Sequence, residues 1–112
     1  MTTLKVVVSD HWFDEIKSGR KTHEYRAFSE FWIKRLTCDW RRDEYVFLRF
    51  ACRPTFKIKH YDLIEFQHAY RKNPERMTFL VKNITVKMSG VNTDLKCDGP
   101  VFDIELGERI EE

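Results

Sequence analysis

Phe13-Asp14-Glu15-Ile16-Lys17-Ser18-Gly19-Arg20-Lys21-Thr22-His23-Glu24-Tyr25-Arg26 is the stretch on which the reading of this chain turns, because the period of its side chains changes within it. Up to Ile16 the apolar residues Trp12, Phe13 and Ile16 recur at three- and four-residue spacing, the pattern of one helix face, with Ser9 or Asp10 as N-cap and Gly19 as the stop. From Lys21 to Arg26 the pattern alternates by two. That predicts a strand with Thr22, Glu24 and Arg26 on one side and Lys21, His23 and Tyr25 on the other. Both sides then carry polar groups, which is unusual for a strand.

Outward from this stretch, Leu4 to Val8 is a short β-branched run that predicts a buried strand. Ser29 can cap a second short helix in which Trp32 and Leu36 are four apart, so that the tryptophan leans on the core while Lys34 and Arg35 point elsewhere. Further strands are predicted at Tyr45 to Phe50, Tyr61 to Gln67, Met77 to Val86 and Val101 to Leu106, each rich in aromatic or β-branched residues. Arg53-Pro54, Asn73-Pro74 and Asp98-Gly99-Pro100 supply the turns between them, and Thr37 to Arg42 is polar enough for a loop. No strand–helix alternation continues after Leu36, which disfavours a doubly wound parallel sheet. An α+β fold is expected instead, a small mixed barrel with two short helices in the N-terminal third.

A chain of 112 residues suits one domain with one core, so residues 1–112 are taken as a single domain. With 42% apolar and 34% charged residues, it can bury that core and still be well solvated, which excludes disorder. The balance of 20 Lys and Arg against 18 Asp and Glu is too even for a general nucleic-acid glue. Its distribution is uneven: Arg53, Lys57 and Lys59 sit in a run without acids, whereas Asp98, Asp103, Glu105, Glu108, Glu111 and Glu112 crowd the last segment. Cys38, Cys52 and Cys97 form no C-x-x-C pair and suggest neither a disulfide framework nor a zinc knuckle, as expected in a reducing cytoplasm. No apolar run approaches the roughly 20 residues that cross a bilayer. Met1 to Val8 has no signal-peptide pattern, so a soluble cytoplasmic protein without membrane partners is expected. His11, His23, His60 and His68 show no metal-ligand spacing, and no metal or other cofactor is expected.

The run from Phe13 to Arg26, with its Gly19-Arg20-Lys21-Thr22-His23-Glu24-Tyr25-Arg26 core, resembles the signature of the ASCH domain family of the PUA-like superfamily, roughly an apolar pair followed by G-x-K-T-x-E-x-R. The likeness continues through Phe31-Trp32-Ile33-Lys34-Arg35-Leu36, Tyr61-Asp62-Leu63-Ile64-Glu65-Phe66, Tyr70, the strand ending at Ile84, and Ile104-Glu105-Leu106-Gly107-Glu108. It is most similar to the subgroup common in bacteria and their phages, while Thr37 to His60 is an added or divergent stretch. The resemblance implies a PUA-like barrel of about five to six strands with a cleft around the GRKTHEYR segment, where the family contacts RNA or a nucleotide. More distantly it implies the N4-acetylcytidine amidohydrolases, which use a Lys, a Thr nucleophile and a Glu. Lys21 matches that lysine, but the threonine falls on Glu24, a carboxylate that cannot replace a hydroxyl, and Thr22 faces away from Lys21 if both lie in a strand.

Beside the resemblance, the residues carry their own chemistry. Lys21, Glu24 and Arg26 combine a mobile cation, an acceptor and a planar cation that could clamp a phosphate and read a base edge. The plainer reading of such a run is a solvated row of paired charges. Tyr25, Tyr70 and Trp32 are aromatic candidates for framing a base, although core packing is the commoner fate of both Trp12 and Trp32. Arg35 heads a basic rim that could include Arg49, Arg53, Lys57, Lys59, Arg71 and Lys72. Glu65 has the plainer reading of an edge-strand surface charge. The leading expectation is an RNA- or nucleotide-binding domain using Lys21, Glu24, Tyr25, Arg26, Trp32, Arg35 and Tyr70. The alternative is a hydrolase of RNA or a modified nucleoside, with Lys21 and Glu24 as acid and base. A third is an adaptor that offers Glu105 to Glu112 to a protein partner.

Overall fold

A computed structural model describes residues 2–37 and 58–110. Its elements are β1 (Thr3–Val8), α1 (Asp10–Lys17), β2 (His23–Ala27), α2 (Glu30–Leu36), β3 (Leu63–His68), β4 (Arg76–Lys87) and β5 (Val101–Ile110). The fold is α+β, with both helices early in the chain and a five-stranded sheet of order β1-β3-β4-β5-β2. Two compact units divide the chain: Met1–Glu24, His60–Asn83 and Glu105–Glu112 form the first, and Tyr25–Lys59 and Ile84–Ile104 the second.

In the first unit, β1 runs parallel to β3, from Thr3 opposite Leu63 to Val8 opposite His68, a pairing that requires a long crossover between the two strands. The antiparallel β3–β4 pair sets Leu63 opposite Leu80 and Gln67 opposite Arg76. Alternate residues face the core: Leu4, Val6 and Val8 from β1, Ile64 and Phe66 from β3, Met77 and Phe79 from β4. Phe13 and Ile16 of α1 are buried with them, three residues apart as one helix face requires. Phe66 and Phe79 meet edge to face with centroids 5.9 Å apart, and Phe13 stacks on His68 at 4.4 Å. Helix α1 ends at Ser18, after which Gly19 takes φ +85°, a left-handed conformation open to glycine at no steric cost.

The second unit buries Phe28, Ile33, Leu36, Ile84, Val101, Phe102 and Ile104, with Phe28 and Phe102 edge to face at 5.2 Å. Leu36 accepts a bond from the Lys59 amide, and Thr37 bridges to Ile58, which pins the end of α2. Gly90 sits under Cys97 and Val101, whose side chains would lie 2.6 and 2.7 Å from an added Cβ. That loop closes through Gly90 to Gly99 at 3.0 Å and through the buried Thr93 hydroxyl to the Gly90 carbonyl at 2.7 Å.

Three expectations change. The strand predicted from Lys21 begins at His23, because the Lys21 amide still bonds back to the Glu15 carbonyl at 3.1 Å and Lys21 and Thr22 belong to the turn. Glu65 is no edge charge: β3 lies between β1 and β4, and Glu65 sits 3.5 Å from Arg76 Nε. Ile33 rather than Trp32 joins Leu36 in the core, three residues apart, which turns Trp32 outward. Ser9 and Ser29 do stand at the N-caps, yet their hydroxyls make no capping bond. The predicted strand at Tyr45 to Phe50, the Arg53-Pro54 turn, and Arg49, Arg53, Lys57, Cys38 and Cys52 lie outside the described residues. Among the described residues no helix is long and apolar enough to cross a membrane.

Candidate functional site

The turn after α1 delivers the charged residues of the first unit. With Lys21 and Thr22 still in the turn, strict alternation does not apply to them, and the Lys21 ammonium reaches Glu24 Oε1 at 2.9 Å. A Leu106 amide donating to the Thr22 carbonyl at 2.9 Å fastens this segment to β5. The side chains of Lys21 and Glu24 retain only 11% and 4% of their exposure. The ammonium also lies 4.3 Å from the centroid of the half-buried Trp12 ring, well inside the distance at which a cation is attracted to an aromatic face. A donor, an acceptor and a flat ring therefore converge in a space from which water is largely excluded, where each interaction is stronger than at an open surface.

In the second unit, Arg26 and Arg35 both lie against Trp32, their guanidinium carbons 5.0 and 5.1 Å from its ring centroid. Arg35 is also 5.5 Å from Phe31, which meets Trp32 edge to face at 5.2 Å. Tyr25 is half-buried in β2. The structure thus gathers Lys21 with Glu24, and separately Arg26 with Trp32 and Arg35. Tyr70, 89% exposed in the turn after β3, joins neither cluster.

Elsewhere in the first unit several basic and histidine residues are engaged in ion pairs. Asp10 Oδ1 takes both His68 Nε2 at 2.6 Å and Arg71 Nη2 at 2.7 Å, so Arg71 is part of a local network and not an open rim. His60 Nε2 lies 2.9 Å from Asp62 Oδ1, while Asp62 Oδ2 accepts from the Thr2 amide at 2.9 Å and the Thr2 hydroxyl at 3.2 Å. The Thr2 amide first, then the His60 ring, holds the Asp62 carboxyl below its ordinary range.

A groove of about 700 Å³ opens beside this clasp, lined by His60, Asp62, Leu80, Val81, Lys82, Leu106, Gly107 and Glu108. None of the residues singled out for binding RNA or a nucleotide lines it, although Leu106, Gly107 and Glu108 belong to the Glu105 to Glu112 strip considered for a protein partner. Its apolar floor comes from β4 and β5, far apart in the chain, and only the closeness of His60 and Asp62 left any sign of it in the sequence. Among the described residues no group of three or more His, Cys, Asp or Glu could hold a metal ion. No family model, curated protein or solved structure matches the chain.

Proposed function

We propose that the chain is an RNA- or nucleotide-binding domain of the ASCH type, with the PUA-like barrel of that superfamily, and that Lys21 and Glu24 are its nucleoside-reading pair. The observation that carries this reading is the Lys21–Glu24 contact of 2.9 Å, nearly removed from solvent and laid against Trp12. Such a pair is a poor stability device, since desolvating both charges offsets much of their attraction. An adjacent donor and acceptor under an aromatic ring are the elements by which proteins read unpaired bases: hydrogen bonds to the base edge and a face on which to stack. Lys21 holds a carbonyl, sugar or phosphate oxygen, and Glu24 accepts from an amino or imino group. The α+β order, with two early helices, is compatible with the barrel that the ASCH signature implies.

The test is a thermal-shift screen of the full chain against RNA oligomers and modified nucleosides, with products followed by mass spectrometry, beside Lys21→Ala and Glu24→Gln. A ligand-dependent rise in Tm that both variants lose, with the ligand recovered intact, is the expected result. Formation of a product that depends on Lys21 replaces the binding reading with the hydrolase one, in which the same pair serves as acid and base. No shift with any nucleic acid or nucleoside sinks both, and leaves the protein adaptor.

A further inference from the structure

The groove beside the Thr2–Asp62 clasp lies wholly within the first unit and has no part in the reading given above. Leu80, Val81 and Leu106 give it an apolar floor. An added Cβ on Gly107 would stand 3.2 Å from Leu80 Cβ and 3.3 Å from the Leu80 carbonyl oxygen, so bare backbone completes that surface where β4 and β5 come closest. A volume of about 700 Å³ is that of a site for a small molecule. Such sites, roughly 300–1,000 Å³, are also mostly apolar with a few fixed polar groups.

The polar groups here are mainly acidic. Thr2 holds Asp62 Oδ2 through its amide at 2.9 Å and its hydroxyl at 3.2 Å, and the Val81 amide donates to the Asp62 carbonyl at 2.9 Å. These bonds fix the carboxylate in place, and the Thr2 donors, being neutral, leave its charge uncancelled. Glu108 adds a second carboxylate, exposed and without an ion pair or side-chain hydrogen bond among the described residues. Lys82 is the opposing cation, but its ammonium is 68% exposed and lies toward Glu105, 3.9 Å away, a third acid that does not line the groove. His60 gives Nε2 to Asp62 at 2.9 Å, so its neutral ring keeps Nδ1 as an acceptor.

Floor and rim together select the occupant. A nucleotide or fatty acid brings negative charge to a rim that already holds two carboxylates. A polyamine suits the rim and leaves the floor wet, while a neutral hydrocarbon does the reverse. We propose that this groove is a second binding site, one that takes a small amphipathic amine, its apolar body on Leu80, Val81 and Leu106 and its protonated amino group directed to Glu108 and Asp62. The ammonium has three protons to give, and the two carboxylates with His60 Nδ1 are acceptors for them. The site stands apart from the Lys21–Glu24 pair, and neither reading depends on the other.

Amide NMR titration of the full chain tests this with three compounds that share one apolar body: phenylbutylamine, phenylbutanol and phenylbutyrate. At about pH 8, above the ordinary imidazole range, the amine is expected to bind with Kd on the order of 1 mM, usual for so small a ligand. It should move the amides of Leu80, Leu106, Gly107 and Glu108. The alcohol should bind roughly fivefold more weakly, and the carboxylate more weakly still. Glu108→Gln, at an exposed position that leaves the fold intact, should weaken the amine roughly two- to fivefold and leave the alcohol unchanged. Added salt should narrow the gap between amine and alcohol. Leu80→Ser strips the floor and should weaken all three alike. Equal or tighter binding of phenylbutyrate overturns the proposal, as do indifference of the amine to Glu108→Gln, shifts confined to amides outside the groove, and no binding by any of the three.

Discussion

Glu24 is 3% exposed, and the Lys21 ammonium 2.9 Å away stabilises a carboxylate that has lost most of its water. Lys21→Ala leaves that charge in place without its cation, and should cost about 3 kcal/mol, at the low end for a broken buried pair because Lys21 keeps some contact with solvent. Replacing both partners by Lys21→Met and Glu24→Leu is expected to be neutral or stabilising, since the desolvation penalty goes with the charges. Urea denaturation of the two variants checks this. A double variant less stable than Lys21→Ala would mean that the pair is held for the fold and not for a ligand. Gly19 offers a second residue-scale expectation. At φ +85°, with nothing within 4 Å of an added Cβ, Gly19→Ala meets no clash and pays only for the left-handed backbone, about 1–2 kcal/mol. Because no neighbour is disturbed, Gly19→Asn should recover part of that loss, asparagine tolerating this region better.

Among the elements, α2 shows most plainly how burial and exposure divide one helix. Ile33→Ala and Leu36→Ala should each cost about 2–5 kcal/mol, from lost burial and the cavity left behind. Phe31→Ala should stay within about 0.5 kcal/mol, because its ring is mostly in water already. Chemical denaturation distinguishes them, and a large loss at Phe31 would show that the ring is structural. The same helix marks a limit of what the sequence discloses. Trp32 with Leu36 and Ile33 with Leu36 are both legitimate helical spacings, and only packing selects the second pair. Strands β1, β3, β4 and β5 were legible because their apolar residues alternate or run together, as in Leu4, Val6 and Val8. The start of β2 was not, since the bond from Lys21 to Glu15 that delays it leaves no trace in the alternation. Thus the Lys21–Glu24 contact, which alternation would forbid, follows from a turn. The groove beside His60 and Asp62 was hidden for another reason: Leu80 and Leu106 become neighbours only through the sheet.

Over the whole molecule, opposite charges nearly cancel at +2, so stability against acid depends on particular pairs more than on net charge. Asp62 is held below its ordinary value of 3.8 chiefly by the Thr2 amide, Glu75 below 4.5 chiefly by the Lys17 ammonium, and Glu15 below 4.5 chiefly by the Arg20 guanidinium. The first two contacts join segments 60 and 58 residues apart in the chain, at 2.9 and 2.7 Å. In each case the folded carboxyl gives up its proton more readily than the unfolded one, so the unfolded chain binds more protons and stability rises with pH. Their contribution is fully present above the unfolded values, about 4 to 4.5, and is lost as pH falls through the lower folded values. All three groups face solvent, so each effect is small and weakens with added salt. Thermal melts between about pH 2 and pH 7 should therefore show Tm level near neutrality and falling below the carboxylate range. Asp62→Asn, which cannot lose a proton, should start lower at neutral pH, decline less steeply, and converge with the unaltered chain at the acid end. Parallel curves would contradict the role of the Thr2–Asp62 clasp, because a bond that matters only in the ionised state must disappear when the carboxylate is protonated.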